Sequence, residues 1–177
     1  MSAERRVQLG PAAPACVAAL DEGWYKDDTC NRLLGYGKGT HGQTEAAAEL
    51  GNALESNDPN LKMLGVYQDG KPVGLFWVTY EGDKKRTAQI HVTLAPDARG
   101  QWVFHHAGTE LMNRLFSNGV YRVEAEPLRI NKRMVKLLRH YGFKQEGIKR
   151  SAFWMDNNDY DTVLLRMLRR EWKRKEN

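Results

Sequence analysis

The chain has 177 residues, of which 41% are hydrophobic and 28% are charged, and its formal net charge is +5. These are ordinary values for one globular domain, and they exclude a disordered or collagen-like chain. They also exclude a protein with several membrane spans, since no apolar run reaches the ~18 residues of a spanning helix.

The first third of the chain predicts a short strand and two helices around a loop. Residues 7–9 suit a strand, and residues 12–25 suit a helix that is entered through prolines. Residues 34–43 contain four glycines and no apolar period, which is typical of a loop. Residues 44–54 repeat alanine and leucine at helical spacing, and Asn57-Asp58-Pro59 would end that helix.

The next block predicts an antiparallel meander of three strands. Residues 61–68 alternate and are followed by Asp69-Gly70, a strong hairpin signal. Residues 73–80 form the second predicted strand. Residues 87–94 form the third, with alternating apolar and polar side chains.

From residue 96 onwards the pattern changes to alternating strands and helices. A loop over 96–102 precedes a helix whose apolar positions recur every four residues. The remaining predicted elements are a strand at 121–126, a helix at 131–141, and strands at 143–149 and 162–168. The chain is therefore predicted to have an α/β (α+β) fold, with a mixed central sheet of six to seven strands flanked by helices.

The motifs after residue 121 carry a family resemblance. Glu124 ends a strand within a Glu-Ala pair, Asn131 follows seven residues later, and Gly142-Phe143 follows after a helix. Together with Glu146-Gly147, they resemble the GNAT superfamily of acyl-CoA-dependent N-acyltransferases, in the branch of ribosomal-protein N-terminal acetyltransferases (RimJ/RimL type). The resemblance covers about residues 61–172, and it implies one GNAT-like domain over 1–177 with a basic tail at 169–177.

The resemblance implies acetyl-CoA as co-substrate and no metal. A loop that leads into a helix offers free backbone N–H groups and the positive end of the helix dipole to a pyrophosphate. The strand before that loop would bind the pantetheine arm through its backbone, and the thioester would lie where this strand parts from the next. The residues implied in cofactor binding are Val92, Thr93, Leu94, Arg99, Gly100, Gln101, Trp102, Val103 and Asn131.

The phosphate loop departs from the family pattern at two positions. Trp102 and Phe104 stand where the family has small residues that let the backbone approach phosphate closely. Either the tryptophan ring points away and leaves its N–H available, or the two rings fill the cofactor site. The sequence leaves both alternatives open.

Two residues are candidates for the catalytic base that deprotonates an amine. His91 lies on the polar face of the strand before the loop, and imidazole titrates near neutral pH. Glu124 lies on the neighbouring strand, although it could equally form an ion pair with a nearby arginine. Many family members have a tyrosine acid where this chain has Leu138, and Tyr141 is expected to pack in the core instead.

The function expected from the resemblance is transfer of an acetyl group from acetyl-CoA to a primary amine by direct attack. The acceptor amine would be a protein N-terminus, a lysine or a small molecule, recognised through Trp24, Tyr25 and the loop at 34–43. A non-catalytic GNAT-like binding or structural module, such as a phage-encoded one, is the alternative if Trp102 and Phe104 fill the cofactor site. A homodimer is compatible with such folds.

The basic tail and the cysteines bear on partners and location. A basic tail is more often a solvated chain end than a binding segment, so we expect no nucleic-acid partner. A protein that binds nucleic acid through this tail is the third alternative. Cys16 and Cys30 lack the spacing of a zinc site and are too few for a disulfide framework. We therefore expect a cytoplasmic protein with reduced thiols and no membrane partner.

Overall fold

A computed structural model describes residues 6–19, 48–82, 84–99 and 101–172, which form one seven-stranded sheet with helices packed on it. The strands are β1 (Val7–Pro11), β2 (Leu61–Gln68), β3 (Lys71–Glu81), β4 (Thr87–Leu94), β5 (Arg122–Ala125), β6 (Lys144–Met155) and β7 (Asn158–Leu168). The helices are α1 (Pro14–Ala19), α2 (residues 48–55), α3 (Gln101–Ser117) and α4 (Lys132–His140), with short 3₁₀ helices at Pro96–Ala98 and Arg169–Glu171. The predicted mixed sheet is confirmed.

The sheet order is β1-β2-β3-β4-β5-β7-β6, and every neighbouring pair is antiparallel except β4 and β5. The parallel pairing of β4 with β5 runs only from Thr87 opposite Arg122 to Gln89 opposite Glu124. Beyond Gln89 these two strands are no longer paired with each other, while β5 still pairs with β7 and β4 still pairs with β3. We call this end of the pairing the β4–β5 split.

Helices α3 and α4 pack together over one face of the sheet. Phe104 of α3 lies 6.3 Å from Phe76 of β3 between ring centroids. Tyr141, at the end of α4, shares a hydrogen bond of 2.9 Å with the hydroxyl of Thr109 on α3 and donates one of 2.5 Å to the carbonyl of His105. Tyr141 is 5% exposed, which confirms that it packs in the core.

Two glycines fix the chain path around these elements. Gly142 has a φ of 99°, so it follows the end of α4 in the left-handed conformation that favours glycine. Gly74 lies opposite Leu94, and a Cβ at that position would come within 2.8 Å of the carbonyl oxygen of Thr93. Any side chain there would push β3 away from the end of β4.

The predicted bounds of α3 and of the β6–β7 hairpin differ from the structure. Helix α3 begins at Gln101 and not after Trp102, so Trp102 lies in its first turn. Strands β6 and β7 extend to a turn at Asp156-Asn157 and form a longer hairpin than predicted. The register of that hairpin shifts between Lys149 and Phe153, and such a bulge interrupts the alternation that identifies strands in a sequence.

Several predicted features lie outside the described residues. These are Cys30, Gly100, the proposed acceptor-recognition residues Trp24 and Tyr25 with the loop at 34–43, and the last part of the basic tail, 173–177. Cys16 is buried as a free thiol, and its Sγ donates to the hydroxyl of Tyr67 at 3.3 Å.

Candidate active site

A cavity of about 430 Å³ lies at the β4–β5 split. Its walls come from both faces of the sheet, since they include Phe104 from the α3 side and Trp77 with His91 from the opposite side. Its lining residues include His91, Val92, Glu126, Asn131 and Leu138. At the split, one cavity is therefore lined by side chains from both faces of the sheet.

The part of β4 beyond the split contains the predicted pantetheine-binding residues Val92, Thr93 and Leu94. In the part of the chain that the structure describes, no strand pairs with β4 beyond Gln89 on the β5 side. A strand edge left in this way presents backbone N–H and C=O groups that a ligand amide can pair with. This geometry matches what the resemblance implies for the pantetheine arm.

The loop between β4 and α3 is fixed at both ends. The Nε of Arg99 donates to the carbonyl of Leu94 at 3.0 Å, and the Nη2 of Arg133 on α4 donates to the carbonyl of Arg99 at 2.7 Å. Gly100 lies outside the described residues, and α3 starts immediately after it at Gln101. The Arg133 guanidinium therefore lies beside the backbone that leads into α3, and a positive charge next to a helix start is a favourable environment for phosphate.

The two aromatic residues of the divergent loop lie in different places. Trp102 is 41% exposed, and its ring lies against His106 one turn further along α3, with centroids 4.8 Å apart. Phe104 is 4% exposed and packs edge-on to Tyr141 at 5.3 Å. Trp102 is thus directed to the surface, whereas Phe104 forms part of the cavity wall, and Val103 between them is buried.

His91 is held flat against Trp77. The two rings are parallel with centroids 5.1 Å apart, and the two residues are register partners on β4 and β3. Burial lowers the pKa of His91 from its ordinary value, and the negative charge of Glu126 opposes that shift. At neutral pH the imidazole is therefore mainly neutral and able to accept a proton.

Glu126 is a cavity residue that the sequence analysis missed. Its carboxylate accepts hydrogen bonds from the Thr162 hydroxyl at 2.5 Å and from the Lys149 ammonium at 2.7 Å. It stands two residues after Glu124 at the end of β5. The alternation of a strand places both on one face, so the Glu-Ala-Glu sequence was the available signal.

Glu124 does not line the cavity. Its carboxylate forms an ion pair with Arg122, and Arg122 also pairs with Glu146. The same cluster holds the pKa of Glu146 at about 2, chiefly through the hydrogen bond from Arg122. The ion-pair alternative is therefore what the structure shows for Glu124, and no contact directs it to a reacting group.

Asn131 caps helix α4 and also lines the cavity. Its side-chain oxygen accepts a hydrogen bond from the backbone N–H of Met134 at 3.1 Å. Leu138 lies on the same side of the helix and contacts the same cavity. Tyr141 does not line it, and burial raises the pKa of its hydroxyl to about 12.

The described residues offer neither a metal site nor a membrane-spanning helix. They contain no group of three or more histidine, cysteine, aspartate or glutamate side chains arranged to hold a metal ion. Within the same residues, no helix is long and apolar enough to cross a membrane.

Solved structures of acetyltransferases share this fold. A RimL ribosomal L7/L12 α-N-protein acetyltransferase in complex with coenzyme A is 17% identical, with a TM-score of 0.75, over 95% of this chain and 96% of that one. An acetyltransferase from Salmonella typhimurium that modifies the N-terminal serine of ribosomal protein L7/L12 is 18% identical, with a TM-score of 0.75, over 92% of this chain and 94% of that one. A phosphinothricin acetyltransferase from Sinorhizobium meliloti in complex with acetyl-CoA is 17% identical, with a TM-score of 0.70, over 92% of this chain and 88% of that one.

The sequence itself matches a family model. Residues 6–144, which include the split, the loop between β4 and α3, and helix α4, match the model of the acetyltransferase (GNAT) domain. The chain therefore belongs to the GNAT acetyltransferase family.

Proposed function

We propose that this protein transfers an acetyl group from acetyl-CoA to a primary amine by direct attack, without a covalent enzyme intermediate. The observation that carries the proposal is the β4–β5 split, with its open strand edge, its cavity and the imidazole of His91 in the wall. Membership of the GNAT family supports the acyl-CoA chemistry.

The residues around the split suit acetyl-CoA. The backbone of Val92, Thr93 and Leu94 would hold the pantetheine arm, and Asn131 would contact it from α4. The pyrophosphate would lie at the start of α3, held by the backbone of 99–103 and by the nearby positive charge of Arg99. Bound there, acetyl-CoA supplies an acetyl group activated as a thioester.

His91 is the proposed general base. The lowered pKa of His91 favours the neutral imidazole, which is the form that can take the proton that an incoming ammonium must lose before it attacks. Stacking on Trp77 fixes the plane of the ring. The carboxylate of Glu126 would stabilise the imidazolium once the proton is transferred.

We assign no base role to Glu124, because its carboxylate pairs with Arg122. The thiolate can leave without a protein acid, since thiols ionise near pH 8.5. Tyr141 is unsuited to protonate it, because its hydroxyl is buried and already bonded to Thr109 and the backbone of α3.

The charge of the cavity favours a cationic acceptor. Glu126 lines it, and so does Glu49 of α2. A protein N-terminus, a lysine side chain and a small amine all fit this charge, and the relatives that act on ribosomal protein L7/L12 illustrate the first kind.

A non-catalytic module is the alternative, and the position of Phe104 in the cavity wall is the observation in its favour. Against it stands the exposed ring of Trp102, which lies against His106 and is not among the described residues that line the cavity. If the alternative holds, Trp102→Gly/Phe104→Gly would gain acetyl-CoA binding that the wild type lacks.

A thiol-release assay tests the proposal. Purified protein is incubated with acetyl-CoA and three acceptor classes: a peptide with a free N-terminus, an N-blocked peptide with one lysine, and small amines. We expect CoA release with at least one class, a loss in His91→Gln, and no loss in His140→Gln, whose side chain is exposed and outside the cavity. No release with any acceptor, or equal losses in both variants, would contradict the proposal.

A further inference from the structure

A second concave surface lies on the other side of helix α4. It has a volume of about 450 Å³ and runs between α4 and strand β6, the last strand of the described sheet. We call it the α4–β6 groove. Its lining residues are Arg129, Lys132, Val135, Lys136, Arg139, Gln145, Ile148 and Val163.

Helix α4 separates this groove from the candidate active site. Asn131, Met134 and Leu138 point into the active-site cavity, whereas Lys132 and Lys136 line the groove. Successive residues of a helix turn by about 100°, so these two sets lie on different faces. The groove is therefore a separate surface and no extension of the acetyl-CoA cavity.

The rim of the groove is strongly basic. Arg129, Lys132, Lys136 and Arg139 line it, and no acidic residue is among its described lining residues. Arg129 pairs with Asp161 at 2.9 Å, and Arg139 donates to the neutral side-chain amide of Gln145. Among the described residues, Lys132, Lys136 and Arg139 take part in no ion pair.

The basic side chains of the groove destabilise helix α4 when no partner is bound. Lys132 and Lys136 are four residues apart, and Lys136 and Arg139 are three apart, so three like charges are neighbours on one helix face. Like charges at these spacings destabilise a helix. A bound anionic partner would relieve that repulsion.

The floor of the groove is aliphatic. Val135 of α4 and Val163 of β7 form its buried part, and Ile148 of β6 is 36% exposed there. Phosphodiester groups gain little from such a floor, and none of the described lining residues is an aromatic on which a base could stack. A ligand that carries aliphatic side chains next to carboxylates fits both the aliphatic floor and the basic rim of the groove.

We propose that the α4–β6 groove binds an acidic polypeptide segment. Carboxylates of the segment contact Lys132, Lys136 and Arg139, and its aliphatic side chains cover Ile148 and the two valines. The segment belongs to a partner protein. Binding requires neither acetyl-CoA nor turnover, so the inference does not depend on the proposed function.

Fluorescence anisotropy tests the inference with a short labelled peptide in which glutamate and valine alternate. The comparison probes are the same peptide with glutamine in place of glutamate and a labelled single-stranded RNA of similar charge. We expect the glutamate peptide to bind most tightly, with an affinity that falls as salt rises. Lys132→Glu/Lys136→Glu should weaken binding by about tenfold or more.

Two further variants keep the test specific. Lys62→Glu/Lys71→Glu makes the same charge change at exposed lysines of β2 and β3 and should leave the affinity unchanged. Ile148→Ser, at an exposed position of the floor, should weaken binding by about threefold or more. Circular dichroism and thermal unfolding confirm that each variant is folded.

Three results would overturn the inference. One is equal binding of the glutamate and glutamine peptides, and another is equal weakening by the two lysine double variants. The third is tighter binding of the RNA than of the acidic peptide, with no effect of Ile148→Ser, which would make the groove a nucleic-acid surface.

Discussion

Asn131 carries two separable roles, and its substitutions should separate them. Its side-chain oxygen caps α4 through the N–H of Met134, and the residue lines the cavity proposed for acetyl-CoA. Asn131→Ala removes the cap and should lower the free energy of unfolding by about 1 kcal/mol. For a domain of this size, that corresponds to a fall in Tm of about 2–4 °C.

Asn131→Asp keeps an acceptor oxygen for the cap, and a negative charge at a helix N-terminus is favourable. Its Tm should therefore equal or exceed that of the wild type. The aspartate lacks the two amide donors and adds a negative charge beside the proposed ligand, so its affinity for acetyl-CoA should fall by about tenfold.

Differential scanning calorimetry and titration with acetyl-CoA measure the two effects on the same preparations. Lys136→Ala, on another face of the same helix, is the control and should leave acetyl-CoA affinity unchanged. If Asn131→Asp bound acetyl-CoA as the wild type does, Asn131 would be only a helix cap. If Asn131→Asp were as unstable as Asn131→Ala, the capping argument would be wrong.

Three further predictions follow from the site and its surroundings. His91→Gln should lower kcat by about a hundredfold or more, while its affinity for acetyl-CoA stays unchanged. When the acceptor is a small amine, kcat of the wild type should rise with pH, through a pKa below the 6.5 of free histidine. A pH profile without that rising limb would argue against the imidazole as the base. Tyr141→Phe should lower the free energy of unfolding by about 1–2 kcal/mol in urea titrations, because it leaves the buried Thr109 hydroxyl without this partner, and kcat should change little; a large loss of kcat at saturating substrate would assign Tyr141 a chemical role. Because the pKa of Glu146 falls from 4.5 to about 2 on folding, its carboxylate stabilises the native state above pH 4.5, and that contribution disappears as the pH falls towards 2. Glu146→Gln should therefore be less stable than the wild type at pH 7, by no more than about 1 kcal/mol for so exposed a network, and the two should converge near pH 2; a constant difference across that range would contradict the linkage.

The sheet was predictable because its signals are local. Alternation set the bounds of β2 and β4, and Asp69-Gly70 fixed the hairpin between β2 and β3. Gly142 could be assigned as the C-cap of α4, since only a residue that tolerates positive φ fits there. The order of β5, β7 and β6 has no such local signal, and only the structure gives it.

The site was predictable only in part, because strand alternation gives the face of a side chain and not its partner. His91 and Asn131 line the cavity as expected, whereas Glu124 pairs with Arg122. Glu126 was overlooked, although alternation puts it on the same face as Glu124. The outward direction of Trp102 depends on the start of α3, and helix starts are among the least certain features of a sequence.

Calorimetric titration of the wild-type protein with acetyl-CoA, with free CoA as control, is the most direct test of the central claim that the β4–β5 split is a working acyl-CoA site. We predict saturable binding in the micromolar range for both ligands, because the strand edge, Arg99, Asn131 and the start of α3 are all in place. No binding up to millimolar concentrations would contradict the account and would favour a module whose cofactor site is closed.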